Sequence, residues 1–128
     1  LALNHSLFRN PWLLFSWALF ILILHIIPSE KIPQPPDWNI SFDKVVHFIL
    51  FAVFSFLLLC VTSQRKSNNA YNLLIIVVLA LIYGLLMEAV QLMVPRREFH
   101  LLDIIADSLG VLAGFMFFQG YMKQQNSR

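Results

Sequence analysis

A chain of 128 residues in which 59% are apolar and 12% charged has too little polar surface to cover a water-soluble globule. Its net charge of +2 comes from cations set singly or in pairs near the ends of apolar runs, with no basic stripe interleaved with aromatics, so no nucleic-acid partner is expected. Cys60 is the single cysteine, which excludes an intrachain disulfide and a thiolate metal centre.

Four apolar runs approach or reach the roughly 20 residues that carry a helix across a hydrocarbon core. The first, residues 12–27, follows Pro11, which suits a first helical turn, and is closed by Pro28. It is longer than a signal-peptide h-region and is followed by Pro-Ser-Glu-Lys rather than a small-x-small cleavage site, so it is expected to persist as a span. Pro33, Pro35 and Pro36 then predict a stiff, extended connection over residues 28–42. The second run, 44–62, leads through a polar, Asn-rich turn at 63–70 to the third, 71–94, which Pro95 closes. A compact charged turn at 95–102 precedes the fourth, 103–121, and the polar residues from Lys123 onward predict a mobile tail. These features predict an all-α membrane protein: one domain over residues 1–128, folded as an antiparallel bundle of four transmembrane helices.

Alternation of the spans puts Asp43, Lys44, His47, Glu88, Gln91, Arg96, Arg97, Asp103 and Asp107 at one edge of the membrane. Lys and Arg give the orientation by a small margin. With both termini cytoplasmic, the inner side holds Arg9, Arg65, Lys66, Lys123 and Arg128, five cations against Lys31, Lys44, Arg96 and Arg97 outside. The outer four lie among the acids Glu30, Asp37, Asp43, Glu98 and Asp103, whereas the inner five have no acidic neighbours. Trp12, Tyr71 and Tyr121 then form an inner aromatic belt and Trp38 marks the outer face.

Ionisable groups within a span are costly and point to function. Asp43 and His47 fall one turn apart on the second run, with Phe51 and Phe54 beyond them. Gly84, Glu88 and Gln91 share a face of the third, and Glu88 lies roughly 10 Å of helix rise before Pro95, too deep to snorkel. Asp103, Asp107, Gly110 and Gly114 form a stripe on the fourth, whose Gly-x-x-x-Gly pair permits close backbone approach. Plainer roles compete with these readings. Asp43 and Asp103 fit helix N-terminal capping, His47 and Asp107 fit structural hydrogen bonding, and of the adjacent Arg96 and Arg97 one pairs inward and the other meets headgroups. His25, late in the first run, is read as interfacial, and His100 carries less weight still.

The series Asp43-Lys44-x-x-His47-Phe48-x-x-Phe51, Tyr83-Gly84-x-x-x-Glu88-x-x-Gln91, then Arg97 and Asp103-x-x-x-Asp107-x-x-Gly110-x-x-x-Gly114 resembles the VanZ-like family of small bacterial membrane proteins. The likeness covers the last three runs in order; the first matches only in being hydrophobic. It implies a four-helix domain of the bacterial cytoplasmic membrane and a link to the cell envelope, since the name-giving member is associated with resistance to teicoplanin. The family's motif often carries Asn where this chain has Asp107.

Three functions follow as expectations. In the first, His47, Glu88, Gln91, Arg97, Asp103 and Asp107 form an outward-facing site that recognises a lipid headgroup or a lipidated glycopeptide, with Arg97 on an anionic group. In the second the chain is an accessory subunit of a larger membrane complex. In the third it is an intramembrane enzyme on lipid-linked substrates, with His47 and Glu88 as acid and base. No nucleophile stands at a recognisable elbow, which weighs against catalysis. One histidine with three carboxylates is an ambiguous metal set, so neither a metal nor another cofactor is assigned.

Overall fold

The computed structural model of the chain describes residues 5–28, 31, 42–63, 70–95 and 97–127. Among them all regular structure is helical: a single turn α1 (His5–Phe8), then α2 (Pro11–Ile26), α3 (Phe42–Thr62), α4 (Ala70–Gln91) and α5 (Leu101–Asn126). The proline-rich connection at 32–41, the polar turn at 64–69 and Arg96 lie outside the described residues.

Local chemistry sets the helix ends. Asn10 caps α2 by accepting from the Trp12 backbone N–H at 3.0 Å, and Pro11 fills the first turn, where a missing N–H costs nothing. Helix α4 stops at Gln91, three residues short of the expected end. Met93 and Val94 donate to the carbonyls three residues back, at 3.0 Å each, tightening the chain out of α-helix before Pro95, whose ring disfavours helical backbone at the residue preceding it. The expected mobile tail is instead helix through Asn126. Lys123, Gln124 and Gln125 are good helix formers, and nothing interrupts them before Ser127, whose N–H bonds back to the Gln125 carbonyl.

Three helices, α3, α4 and α5, are long and apolar enough to cross a membrane. Helix α2 has 16 residues, about 24 Å of rise against a hydrocarbon core of about 30 Å. Large apolar side chains stay exposed on the outer faces of all four, among them Phe15, Ile49, Leu79, Leu86, Met116 and Phe117. Such a surface suits lipid and not water. The chain is a membrane protein with one shorter apolar helix beside three of spanning length.

Helices α3 and α5 form the closest pair and run in the same direction, with Lys44 beside Asp103, His47 beside Asp107, and the Gly110–Gly114 stripe against Phe48, Ala52 and Phe56. A Cβ on Gly110 would run into the Phe48 carbonyl oxygen, and one on Gly114 into that of Ala52 while standing 3.0 Å from the Phe56 nitrogen. Both obstacles are backbone and cannot swing aside. Ser55 Oγ donates to the Val111 carbonyl across this seam at 3.0 Å.

Helices α2 and α4 run the opposite way. Trp17 Nε1 donates to the Leu50 carbonyl at 3.0 Å, and Tyr83 OH to the Ala18 carbonyl at 2.7 Å, so each polar tip is satisfied inside the bundle. Ile21, Leu50, Phe51, Phe54, Ala80, Met87 and Val111 make the central core, with Tyr83 stacked on Phe54 at 4.7 Å between ring centroids. A second core of Leu59, Cys60 and Phe118 closes the far end. Tyr121, expected in an aromatic belt, packs there edge-on against Phe8 and Phe56.

Gly114→Ala is expected to destabilise the protein in detergent by about 1–3 kcal/mol through overpacking. Gly120→Ala, where a Cβ meets nothing within 4 Å, is expected to stabilise it by up to about 1 kcal/mol through helix propensity. Thermal unfolding of the two variants side by side checks both signs.

Candidate functional site

The site lies where α2 and α4 end and α3 and α5 begin. His25, His47, Glu88, Gln91, Asp103 and Asp107 are all buried, with Glu88 1% and Asp103 0% exposed. Phe51 closes the floor, edge-on to the His25 ring at 6.5 Å.

Two pairs organise the polar groups across the α3–α5 seam. Lys44 Nζ donates to Asp103 Oδ1 and, at 3.3 Å, to the exposed Asp43. His47 Nδ1 contacts Asp107 Oδ1 at 2.9 Å, while its Nε2 faces Asp43 Oδ1 at 3.9 Å. Asp103 is therefore not the N-cap of α5 but the acidic residue of its first turn, with its carboxylate paired to Lys44; the residue at the N-cap is His100, which makes no side-chain capping bond.

Glu88 approaches from α4. Its Oε1 is 3.7 Å from His47 Nδ1 and 4.0 Å from His25 Nε2, both too long for hydrogen bonds. Neither Glu88 oxygen has a hydrogen-bond partner among the described residues, and the same holds for His25 Nε2, Gln91 Oε1, Asp103 Oδ2 and Asp107 Oδ2. That concentration of unmatched acceptors in an apolar bundle is unusual, because each buried polar atom left unpaired costs free energy.

The sequence places Arg97 with the carboxylates, but the structure turns it elsewhere. Its Nε and Nη2 donate to the Ile27 carbonyl at 3.2 and 2.9 Å, and Nη2 also to the Leu24 carbonyl at 3.2 Å. These are the unsatisfied carbonyls at the C-terminus of α2, where a cation also complements the helix dipole. Arg97 thus joins the charged turn to α2.

His25, expected at the interface, belongs instead to this buried centre. It sits at the middle of the centre, 3% exposed, with its ring 5.1 Å from that of His47. Nδ1 lies 2.8 Å from the Ile21 carbonyl, which can only accept, so Nδ1 carries the proton and Nε2 presents a lone pair to Glu88. The available signal was its spacing of four from Ile21 and seven from Ala18. In a run that is apolar on every face, that spacing does not reveal which side is inward.

A cleft of about 190 Å³ opens between α4 and α5, lined by Ala80, Leu81, Gly84, Leu85, Ile104, Asp107, Ser108 and Val111. It reaches Asp107 because Gly84 has no side chain: a Cβ there would sit 3.4 Å from Asp107 Oδ2. Among the described residues, the groups whose ligand atoms come close enough to hold a cation together are His25, His47 and Glu88, and separately Asp43, His47 and Asp103.

Residues 4–122 match the family described as VanZ/LLP1. No curated protein and no solved structure shows a significant match to the chain.

Breaking the Lys44–Asp103 pair on one side leaves Asp103 buried and uncompensated, so Lys44→Met is expected to cost about 3–5 kcal/mol. Lys44→Met combined with Asp103→Leu is expected to recover most of that loss. Unfolding of the single and double variants in detergent gives the coupling directly.

Proposed function

The chain belongs to the VanZ/LLP1 family, and from that membership and the buried polar centre we propose a cell-envelope protein that recognises an amphipathic molecule, a lipid headgroup or a lipidated glycopeptide, from within the membrane. The observation that carries this reading is the α4–α5 cleft, whose apolar walls end on the Asp107 carboxylate. An acyl chain matches Leu81, Leu85, Ile104 and Val111, while a donor group on the head matches Asp107 Oδ2, which has no protein donor among the described residues. The donor-poor, acceptor-rich centre favours an amine or hydroxyl-bearing head over a bare phosphate. Arg97, committed to α2, is not the anion clamp of this reading.

The same proposal places the chain in the bacterial cytoplasmic membrane as four antiparallel spans, with α2 the shortest, both termini cytoplasmic and the polar centre facing outward. Short connections and the small excess of Lys and Arg that the sequence places at the opposite end support it. Cysteine labelling at Gln34, Asn68 and Ser127 is the topology test: reagent added outside is expected to reach only position 34, and labelling at 68 reverses the orientation.

For function, wild type, Glu88→Gln and Ser108→Leu are to be expressed at matched membrane levels in a sensitive host and challenged with lipidated and non-lipidated glycopeptides. Wild type is expected to protect selectively against the lipidated compound. Both variants are expected to lose protection, the first by altering the centre and the second by filling the rim of the cleft. Equal protection by all three defeats the recognition reading, as does none by wild type; a stoichiometric protein copurifying in that case favours the accessory-subunit role.

A further inference from the structure

The geometry points to a transition-metal site inside the bundle, formed by His25 Nε2 of α2, His47 Nδ1 of α3 and Glu88 Oε1 of α4, and taking a divalent ion of zinc-like preference. This inference goes beyond the recognition reading and stands whether or not that reading holds.

Three potential ligand atoms converge, and two of them, His25 Nε2 and Glu88 Oε1, have no hydrogen-bond partner among the described residues, while His47 Nδ1 is shared with Asp107. The ligand atoms of His25, His47 and Glu88 all lie within 4.8 Å of one another, with His47 Nδ1–Glu88 Oε1 at 3.7 Å and His25 Nε2–Glu88 Oε1 at 4.0 Å. Tetrahedral Zn²⁺ with bonds of about 2.0–2.2 Å sets neighbouring ligand atoms about 3.3–3.5 Å apart, so each histidine–Glu88 pair needs to close by less than about 1 Å and the two histidines by at most about 1.5 Å. Glu88 is 1% and His25 3% exposed, and both Glu88 oxygens and His25 Nε2 lack a hydrogen-bond partner among the described residues.

The surrounding groups are arranged as partners of metal ligands commonly are. The second ring nitrogen of a ligating histidine usually donates to a carbonyl or carboxylate, which fixes the tautomer and the ring. His25 does this through Nδ1 to the Ile21 carbonyl, whereas His47 Nε2 lies 3.9 Å from Asp43 Oδ1, beyond direct hydrogen-bond reach. Ligation through Nδ1 requires the ring proton of His47 to sit on Nε2, so the proton now between Nδ1 and Asp107 Oδ1, 2.9 Å apart, would move to Nε2 or, from an imidazolium, be released to solvent.

Charge favours a divalent ion. Lys44 and Asp103 neutralise each other, leaving Glu88 and Asp107 as two carboxylates in an apolar bundle. A 2+ ion balances both. The other candidate set, Asp43, His47 and Asp103, is disfavoured because Lys44 already occupies the two aspartates. Two imidazoles with a carboxylate suit zinc and its first-row neighbours better than calcium or magnesium, which prefer all-oxygen shells.

The test uses the full-length protein in detergent, stripped with chelator and titrated with Zn²⁺, with bound metal counted by mass spectrometry and Co²⁺ substituted as a spectroscopic probe. Wild type is expected to bind one equivalent and to give the visible d–d bands of tetrahedral Co²⁺. His25→Gln and Glu88→Gln, checked for helical content and monodispersity, are each expected to weaken Zn²⁺ at least about tenfold, while Gln119→Ala leaves it unchanged. Absence of saturable Zn²⁺ binding by the wild type overturns the site, as does unchanged affinity in a folded His25→Gln. Metal content and glycopeptide protection are separate readouts, so one can fail without the other.

Discussion

The close approach of α3 and α5 is the constraint on which the rest depends. Gly110 and Gly114 let α5 lie with its backbone against the carbonyls of Phe48 and Ala52, and no side chain fits between. That contact fixes the register of the two parallel helices, and the register puts Asp103 opposite Lys44 and Asp107 opposite His47. In lipid there is little hydrophobic drive to bring helices together, so packing of small residues and interhelical hydrogen bonds carry more of the specificity. Here the two act on one seam, with the Ser55–Val111 bond between them.

The second pair of helices completes what the seam begins. Helices α2 and α4 deliver His25 and Glu88 to the same depth, held there by contacts several residues away: Trp17 to the Leu50 carbonyl, Tyr83 to the Ala18 carbonyl and Arg97 to the end of α2. These bonds tie aromatic and guanidinium donors to backbone carbonyls, and both Glu88 oxygens, Asp103 Oδ2 and Asp107 Oδ2 are left without a donor among the described residues. Gly84 contributes by what it lacks, since its bare backbone lets Asp107 reach the cleft between α4 and α5. One end of the bundle is therefore rich in acceptors while the other is closed by Leu59, Cys60 and Phe118.

Much of this was legible in the chain because burial of charge in an apolar run is conspicuous. Glu88, Asp107 and His47 stand out among leucines and phenylalanines, and their helical spacing with Gly84 and Gly110 indicates a shared face before any coordinates exist. Helix identity was legible too, through Pro11, Pro28 and Pro95, though ends shifted where turn hydrogen bonds tightened the chain early, as at Gln91, or where propensity carried it on, as at Asn126.

The sequence by itself determined the class of protein, the helical character of its apolar runs, and that His47, Glu88, Asp103 and Asp107 would be costly to bury, because these follow from composition and from periods local to one helix. Only the tertiary structure decided partners. His25 joined the centre because α2 rotates that face inward, a choice that an all-apolar run does not encode in its own periodicity. Arg97 left it because the carbonyls of Leu24 and Ile27, some 70 residues earlier in the chain, needed donors at the same height. Which acid meets which base depends on register and rotation between helices, and those are settled by side-chain volume at Gly84, Gly110 and Gly114 acting across the bundle, where no single segment records the outcome.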